Sequence, residues 1–366
     1  MTIPPPPRRK HGKNAFMFVI VTVALDLMGF GIIVPVMPEL LKQVTELSAE
    51  EVVAWGGALT ATFAVFNFAA MPTIGNLSDR FGRRPVLLVS IATLAIDFVI
   101  MGLANTLWLL FLGRALSGLS SATYSTANAY IADVTEPENR GAAFGMVGAA
   151  FGIGFIIGPA IGAAFSLIDV RAPFFAAAAL AGINFIYGYF FLPESLQPEE
   201  RRPFEWKRAN PFGAFQHFRK LPHVVWFILA VGIFALAHSV YPATWNFHGD
   251  IRYGWQAWEI GLSLTVVGIG SALVQGGLTG WLIKRIGAIR TALFGYVINV
   301  VSFTAFAFAG LGWIAYLVIP ISALGGVVGP AVNTIMSNVT PKNAQGELHG
   351  ASASIQALAM IISPVV

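Results

Sequence analysis

What most limits this chain is a series of apolar stretches, each about as long as a bilayer core is thick. A helix needs about 20 largely apolar residues to cross the hydrocarbon region. Ten stretches meet that length, near 15–37, 55–75, 86–104, 108–131, 142–166, 174–192, 223–243, 259–283, 291–310 and 313–336. An eleventh begins near Leu348 and is still apolar at Val366. Only 11% of the 366 residues are charged, against about 25% in a soluble domain. That shortage excludes a soluble enzyme, a disordered scaffold and a nucleic-acid binder. The fold class is therefore an all-α polytopic membrane protein. There is no cysteine, which excludes disulfides, thiol catalysis and cysteine metal sites, and no metal is expected. The first apolar run follows a basic, proline-rich tail (1–14). It is too long for a cleavable signal and should remain as a span.

Lysine and arginine in short loops set orientation. With the N-terminus in the cytoplasm, 18 of the 22 basic residues fall on the cytoplasmic side. The opposite face has Lys42, Arg171 and Arg252, and Arg114 lies within a span. The net charge of +4 is thus a topological signal. One connection is longer and more polar than the others, the central loop 193–222, after the sixth span. It separates an N-terminal bundle (15–192) from a C-terminal one (223–366). Internal self-similarity supports two related halves. Gly75, Leu77, Arg80 and Gly82 recur as Gly280, Leu282, Arg285 and Gly287, and Trp108, Asn128 and Val134-Thr135 as Trp313, Asn333 and Val339-Thr340. Gly141, Gly145 and Pro159 recur as Gly346, Gly350 and Pro364. Every pair is 205 residues apart. The chain reads as a tandem duplication, the arrangement of two parallel six-helix repeats about an axis along the membrane normal. By that symmetry, eleven spans are seen and a twelfth is expected beyond Val366.

The loop Gly75-Asn-Leu-Ser-Asp79-Arg80-Phe-Gly82-Arg83-Arg84-Pro85 resembles the signature loop of the major facilitator superfamily. The first span (Asp26, Gly29, Gly31, Pro35, Pro38), Tyr130-Ile-Ala-Asp133, Ala172-Pro-Phe-Phe and Leu192-Pro-Glu-Ser195 are similar to segments of the tetracycline-resistance efflux antiporters. The resemblance covers about 16–366 and is densest in the N-terminal half. It implies two six-helix bundles related by a pseudo-twofold axis around a central cavity. It also implies proton-coupled export of a small amphipathic compound, tetracycline-like ones included, from a monomer in the bacterial inner membrane. No cofactor is needed beyond the proton gradient, and no P-loop for ATP occurs.

Charges at a span centre cost about 2.5–3.5 kcal/mol on insertion scales, so they usually face the bundle interior and have a function. Only Asp26, Asp97 and Arg114 lie that deep. Asp97 lies eight residues before Asn105 and Arg114 nine after it on antiparallel spans, which puts both about 12–14 Å below the same face. They can meet. Asp26, Asp97 and Arg114 also align with intramembrane charges of the resembled family, which implies a proton-coupling role. The plainer alternative is a static Asp97–Arg114 pair. The C-terminal half departs from the family, with Asn299 where an acid is usual and Ser271 where a histidine is. Arg114 maps to Ile319 and Asp97 to Ser302, so proton handling is expected in the N-terminal half.

The loop Gly75, Asp79, Arg80, Gly82, Arg83, Arg84 is expected to act as a conformational latch, against a topology-setting turn. Lys284 replaces Asp79 in its copy. In span five, Gly154, Gly158, Pro159 and Gly162 resemble the glycine–proline motif of drug–proton antiporters, with Ala163 in place of a final glycine. Small residues at this spacing also simply let helices pack closely. Phe63, Asn67, His238, Gln275 and Asn299 are candidate cavity residues, with packing or interhelical hydrogen bonding as their alternative. Rival functions are a uniporter or symporter of the same fold and a non-transporting receptor or scaffold. An intramembrane aspartyl protease is disfavoured, because Leu94-Ala-Ile-Asp97 lacks its motif.

Overall fold

The computed structural model describes residues 13–45, 48–120, 123–135, 140–206, 210, 225–339, 355–356 and 358–363. Expectations for the tail 1–12, for Lys207, Arg208, Arg219 and Lys220 of the central loop, and for Thr340, Lys342, Gly346, Gly350 and Pro364 lie outside the described residues.

The first described element is α1 (Lys13–Ile33), which passes through a tight turn at Val34–Val36 into α2 (Met37–Val44). Next come α3 (Ala49–Phe81), α4 (Arg83–Leu103), α5 (Leu107–Ser120), α6 (Thr123–Val134), α7 (Arg140–Ser166) and α8 (Ala172–Phe191). Past the central loop are α9 (Val225–Tyr253), α10 (Ala257–Leu273), α11 (Thr279–Ile286), α12 (Ala288–Phe308), α13 (Gly312–Leu324) and α14 (Val328–Val339). A wide turn at Val274–Leu278 joins α10 to α11, and a tight one at Gly325–Val327 joins α13 to α14. No strand occurs among the described residues.

By length and composition, six segments are apolar enough to cross a membrane: Phe16–Val44, Glu51–Phe81, Arg83–Leu103, Ala172–Phe191, Ala288–Phe308 and Gly312–Met336. Shorter apolar helices cover Leu107–Ser120, Gly152–Ser166, Gly232–Tyr241 and Ala257–Leu273. Together these fall on all ten full stretches read from the sequence. Large apolar side chains such as Phe190 (72% exposed) and Phe308 (83% exposed) point outward. In lipid such a surface is solvated, while helices satisfy their own backbone polar groups.

The duplication is written into the backbone. α4 and α12 are both 21 residues long, and their boundaries, Arg83–Leu103 and Ala288–Phe308, differ by the same 205 residues. Gly82 (φ 104°, ψ 160°) and Gly287 (φ 82°, ψ 159°) end the preceding helices in matching conformations that favour glycine. A Cβ would strain both turns.

Packing differs between the seams. α7 lies between α1 and α10. A Cβ on Gly154 would stand 2.7 Å from Ala24 O, one on Gly158 2.6 Å from Met28 O, and one on Gly162 would overlap Ile32 O. The glycines therefore set the approach of α1 to α7. On the other side of α7, Gly261 of α10 faces Pro159 O and the Ala163 methyl, each 2.6 Å from where its Cβ would be. Glycine on the opposing helix thus provides the room that Ala163 takes up.

Among the described residues, three polar contacts between the halves lie toward the end that carries Lys42, and a fourth, from Thr265 Oγ1 to Ile156 O at 3.4 Å, joins the middle of α10 to α7. Lys42 Nζ donates to Asp250 Oδ1 at 2.6 Å, Asn246 Nδ2 to Val34 O at 3.1 Å, and the Ala257 amide to Glu39 Oε1 at 3.2 Å. Phe247 fills the space over Gly56, where any Cβ would collide with its ring.

Candidate transport site

α4 and α5 bring Asp97 and Arg114 to the same depth, as the antiparallel count requires. Both are buried, with Asp97 0% and Arg114 7% exposed. They form no direct ion pair. Ser117 lies between them, on the same face of α5 as Arg114 because residues three apart are helix neighbours. Arg114 Nη2 donates to Ser117 Oγ at 2.9 Å, and Ser117 Oγ in turn donates to Asp97 Oδ2. Asp97 Oδ1 and Arg114 Nε have no hydrogen-bond partner. Gly113 makes room for the acid, since a Cβ there would stand 2.9 Å from Asp97 Oδ1. The Arg114 guanidinium lies over the Phe63 ring, 5.5 Å from its centroid.

The arrangement holds one buried acid and one buried base apart through a neutral hydroxyl, so each keeps one polar atom free. A proton added to Asp97 would change what that hydroxyl has to accept. Asp26, on α1, is half-buried.

A cavity between the halves has Met37, Gly56, Phe63, Arg114, Asn246 and Phe247 on its walls. A second, about 230 Å³, opens among α9, α12 and α14 and is bordered by His238, Tyr296, Asn333 and Gln356. Ser239 and Met360 border both. His238 stacks on Phe234 at 5.4 Å, and Tyr296 meets the same ring edge-on at 5.3 Å.

Other sequence candidates occupy different surroundings. Asn67 is half-buried on α3. Gln275 is exposed in the wide turn after α10, with its Nε2 3.9 Å from where a Cβ on Gly326 would be. Asn299 Nδ2 donates to Gly295 O at 2.9 Å and to Gly325 O at 3.2 Å, which ties α12 to the turn before α14.

At the opposite end from Lys42, Arg83 Nη1 donates to Asp79 Oδ1 at 2.6 Å and its Nε to Asp133 Oδ2 at 3.2 Å. Glu194 accepts from the Arg83 amide at 2.8 Å and the Arg84 amide at 3.2 Å. A carboxylate at a helix N-terminus satisfies orphan amides and opposes the helix dipole. The Arg84 side chain donates to Tyr189 O at 2.7 Å, and Arg80 turns outward over Phe81. Gly75 lines an open polar recess beside Asp79.

Neither Ser117 nor Glu194 is among the site candidates the sequence offers. The i+3 spacing from Arg114 could have found Ser117. The absence of an acid in the first turn of α4 called for a cap from elsewhere, but nothing local pointed to Glu194, 111 residues away.

The Major Facilitator Superfamily matches residues 19–364. The chain is 37% identical to the class C tetracycline resistance protein of Escherichia coli, over 96% of this chain and 88% of that protein. It is also 37% identical to the class G protein of Vibrio anguillarum, over 96% and 89%. Among solved structures, the human organic anion transporter MFSD10 superposes with a TM-score of 0.71 at 22% identity, over 98% of this chain and 93% of that one, a likeness of fold. Spans, duplication and relatives agree: this chain belongs to the Major Facilitator Superfamily, in the group that contains the tetracycline resistance proteins.

Proposed function

We propose that the protein is a proton-coupled exporter of small amphipathic compounds, tetracycline-type molecules among them, that works by alternating access. The observation that carries this reading is the buried Asp97–Ser117–Arg114 group beside a cavity shared by the two halves. A buried acid beside a base and a ligand cavity is suited to exchanging a proton against a bound compound, because each event changes the charge the other meets. The relatives that extend over nearly the whole chain are resistance proteins, which favours export. The distribution of lysine and arginine favours the Lys42 end as the outer one. The Asp79–Arg83–Asp133 cluster then lies inside and serves as the latch, and Asp26 is a second candidate proton site. The central loop divides the two bundles.

The test is substrate-driven proton movement in proteoliposomes, with tetracycline and an amphipathic cation as probes. Opposed fluxes of probe and proton are expected, lost in Asp97→Asn. Probe flux indifferent to an imposed pH gradient would make this a uniporter, and probe and proton moving together would make it a symporter. Absence of any flux would favour a receptor.

A further inference from the structure

We infer that Ser117 is the positioning residue through which the protonation state of Asp97 sets the place of Arg114. The inference rests on the exporter reading for its biological meaning and on geometry for its content.

A serine hydroxyl has one hydrogen to give and two lone pairs. Here the hydrogen goes to Asp97 Oδ2 and a lone pair receives Arg114 Nη2. With Asp97 ionised, its oxygens can only accept, so the Ser117 hydrogen points to Oδ2. When Asp97 takes up a proton on Oδ2, its own O–H becomes the donor. Ser117 must then accept from the acid and turn its hydrogen elsewhere. No proton passes through the serine; its hydroxyl only rotates.

The C-terminal half shows where that hydrogen goes. The position 205 residues on is Ser322, with Ser302 in place of Asp97 and Ile319 in place of Arg114. Its Oγ donates to Ile319 O at 2.8 Å, three residues back on its own helix. The corresponding acceptor for Ser117 is the Arg114 carbonyl. The same serine thus has two resting places, and Asp97 decides between them. With Asp97 neutral, Ser117 accepts from both the acid and Arg114 Nη2, and the guanidinium is held by that hydroxyl without a counter-charge, over Phe63 and beside the cavity it lines.

The neighbours of Asp97 leave this control to Arg114. α4 packs against α3, α5, α6 and α8. Of these, α5 brings Arg114, whose charge acts on Asp97. Among the described side chains of the others, the ionisable groups lie toward the ends: Asp79, Arg80, Tyr130, Asp133, Tyr187 and Tyr189 at the Gly82 end and Glu51 at the other.

The test is infrared difference titration of the purified full chain in detergent, with no substrate present. The Asp97 carboxyl band is identified by its loss in Asp97→Asn. In Ser117→Ala the titration midpoint should move up by about one pH unit, as follows from removing a hydrogen bond to the charged form. Ser117→Cys, of similar volume but a weak donor, should move it the same way. Ser117→Thr should keep the wild-type midpoint, and Ser322→Ala should not move it. In proteoliposomes, the pH profile of KM for tetracycline should shift with the infrared midpoint. An unchanged midpoint in both Ser117→Ala and Ser117→Cys overturns the inference, as does an equal shift in Ser322→Ala. A wild-type protein that titrates as described but moves no probe would overturn the exporter reading and leave this inference standing.

Discussion

The two halves of this protein share a backbone plan and differ in what lies inside it. In the N-terminal half, Asp97, Ser117 and Arg114 form a buried polar chain. At the same places the C-terminal half has Ser302, Ser322 and Ile319, and the Ser302 hydroxyl is buried without a partner. The seams differ too. Gly154 and Gly158 let α1 and α7 meet backbone to backbone, whereas their counterparts are Ala359 and Ser363. Duplication supplied two equivalent scaffolds, and the deep charges are concentrated in one. Helix ends and turns are local properties that both copies keep. A buried charge is costly in either copy and persists only where a partner and a function retain it.

The largest expected effect comes from making the first half resemble the second. Arg114→Ile leaves a buried carboxylate uncompensated and should cost about 3–5 kcal/mol of stability. The double variant Asp97→Ser/Arg114→Ile copies the C-terminal pair and should recover most of that loss, without export. Thermal unfolding in detergent and vesicle transport measure the two outcomes. If the single and double variants are equally unstable, the two charges do not act as a pair.

Next is the glycine seam. Gly158→Leu must displace Met28 O and should cost about 1–3 kcal/mol or more. A Cβ on Gly152 meets nothing within 4 Å, so Gly152→Leu, one turn and a half away, should stay within about 0.5 kcal/mol. Equal losses would show that bulk anywhere on α7 matters, not the approach to α1.

The matched turns give a smaller contrast. Gly82→Ala and Gly287→Ala both strain a backbone that glycine tolerates, at about 1–3 kcal/mol each. A Cβ on Gly82 additionally collides with Glu194, while one on Gly287 meets nothing within 4 Å. Gly82→Ala should therefore be the more damaging, in stability and in transport rate. Smallest of all, Ser302→Ala removes a buried hydroxyl that has no partner and should change stability by less than about 0.5 kcal/mol, in either direction. A large loss there would mean that the C-terminal position has work of its own.

Much of this was legible in the sequence. Span positions follow from apolar run length, and the 205-residue repeat reappears in helix boundaries and in the φ values of Gly82 and Gly287. The shared depth of Asp97 and Arg114 came from counting residues on two antiparallel spans. Their separation by a hydroxyl did not, because a side-chain rotamer decides whether two charges touch. Asn299 stands out in the sequence because the resembled family has an acid there, and the structure adds that its amide is tied to Gly325. Glu194 caps a helix that begins 111 residues earlier, a contact no local pattern encodes.

The sequence by itself determined that this chain spans a membrane, that it is duplicated, and that its deep charges lie in one half. These are properties of composition and spacing, which physical chemistry reads without coordinates. Tertiary structure alone decided that Ser117 joins Asp97 to Arg114, that Gly261 accommodates Ala163, and that Lys42 meets Asp250 across the halves. Each depends on two helices distant in sequence arriving at one point with their side chains oriented. That is a matter of packing, and packing is settled only when the whole bundle has assembled.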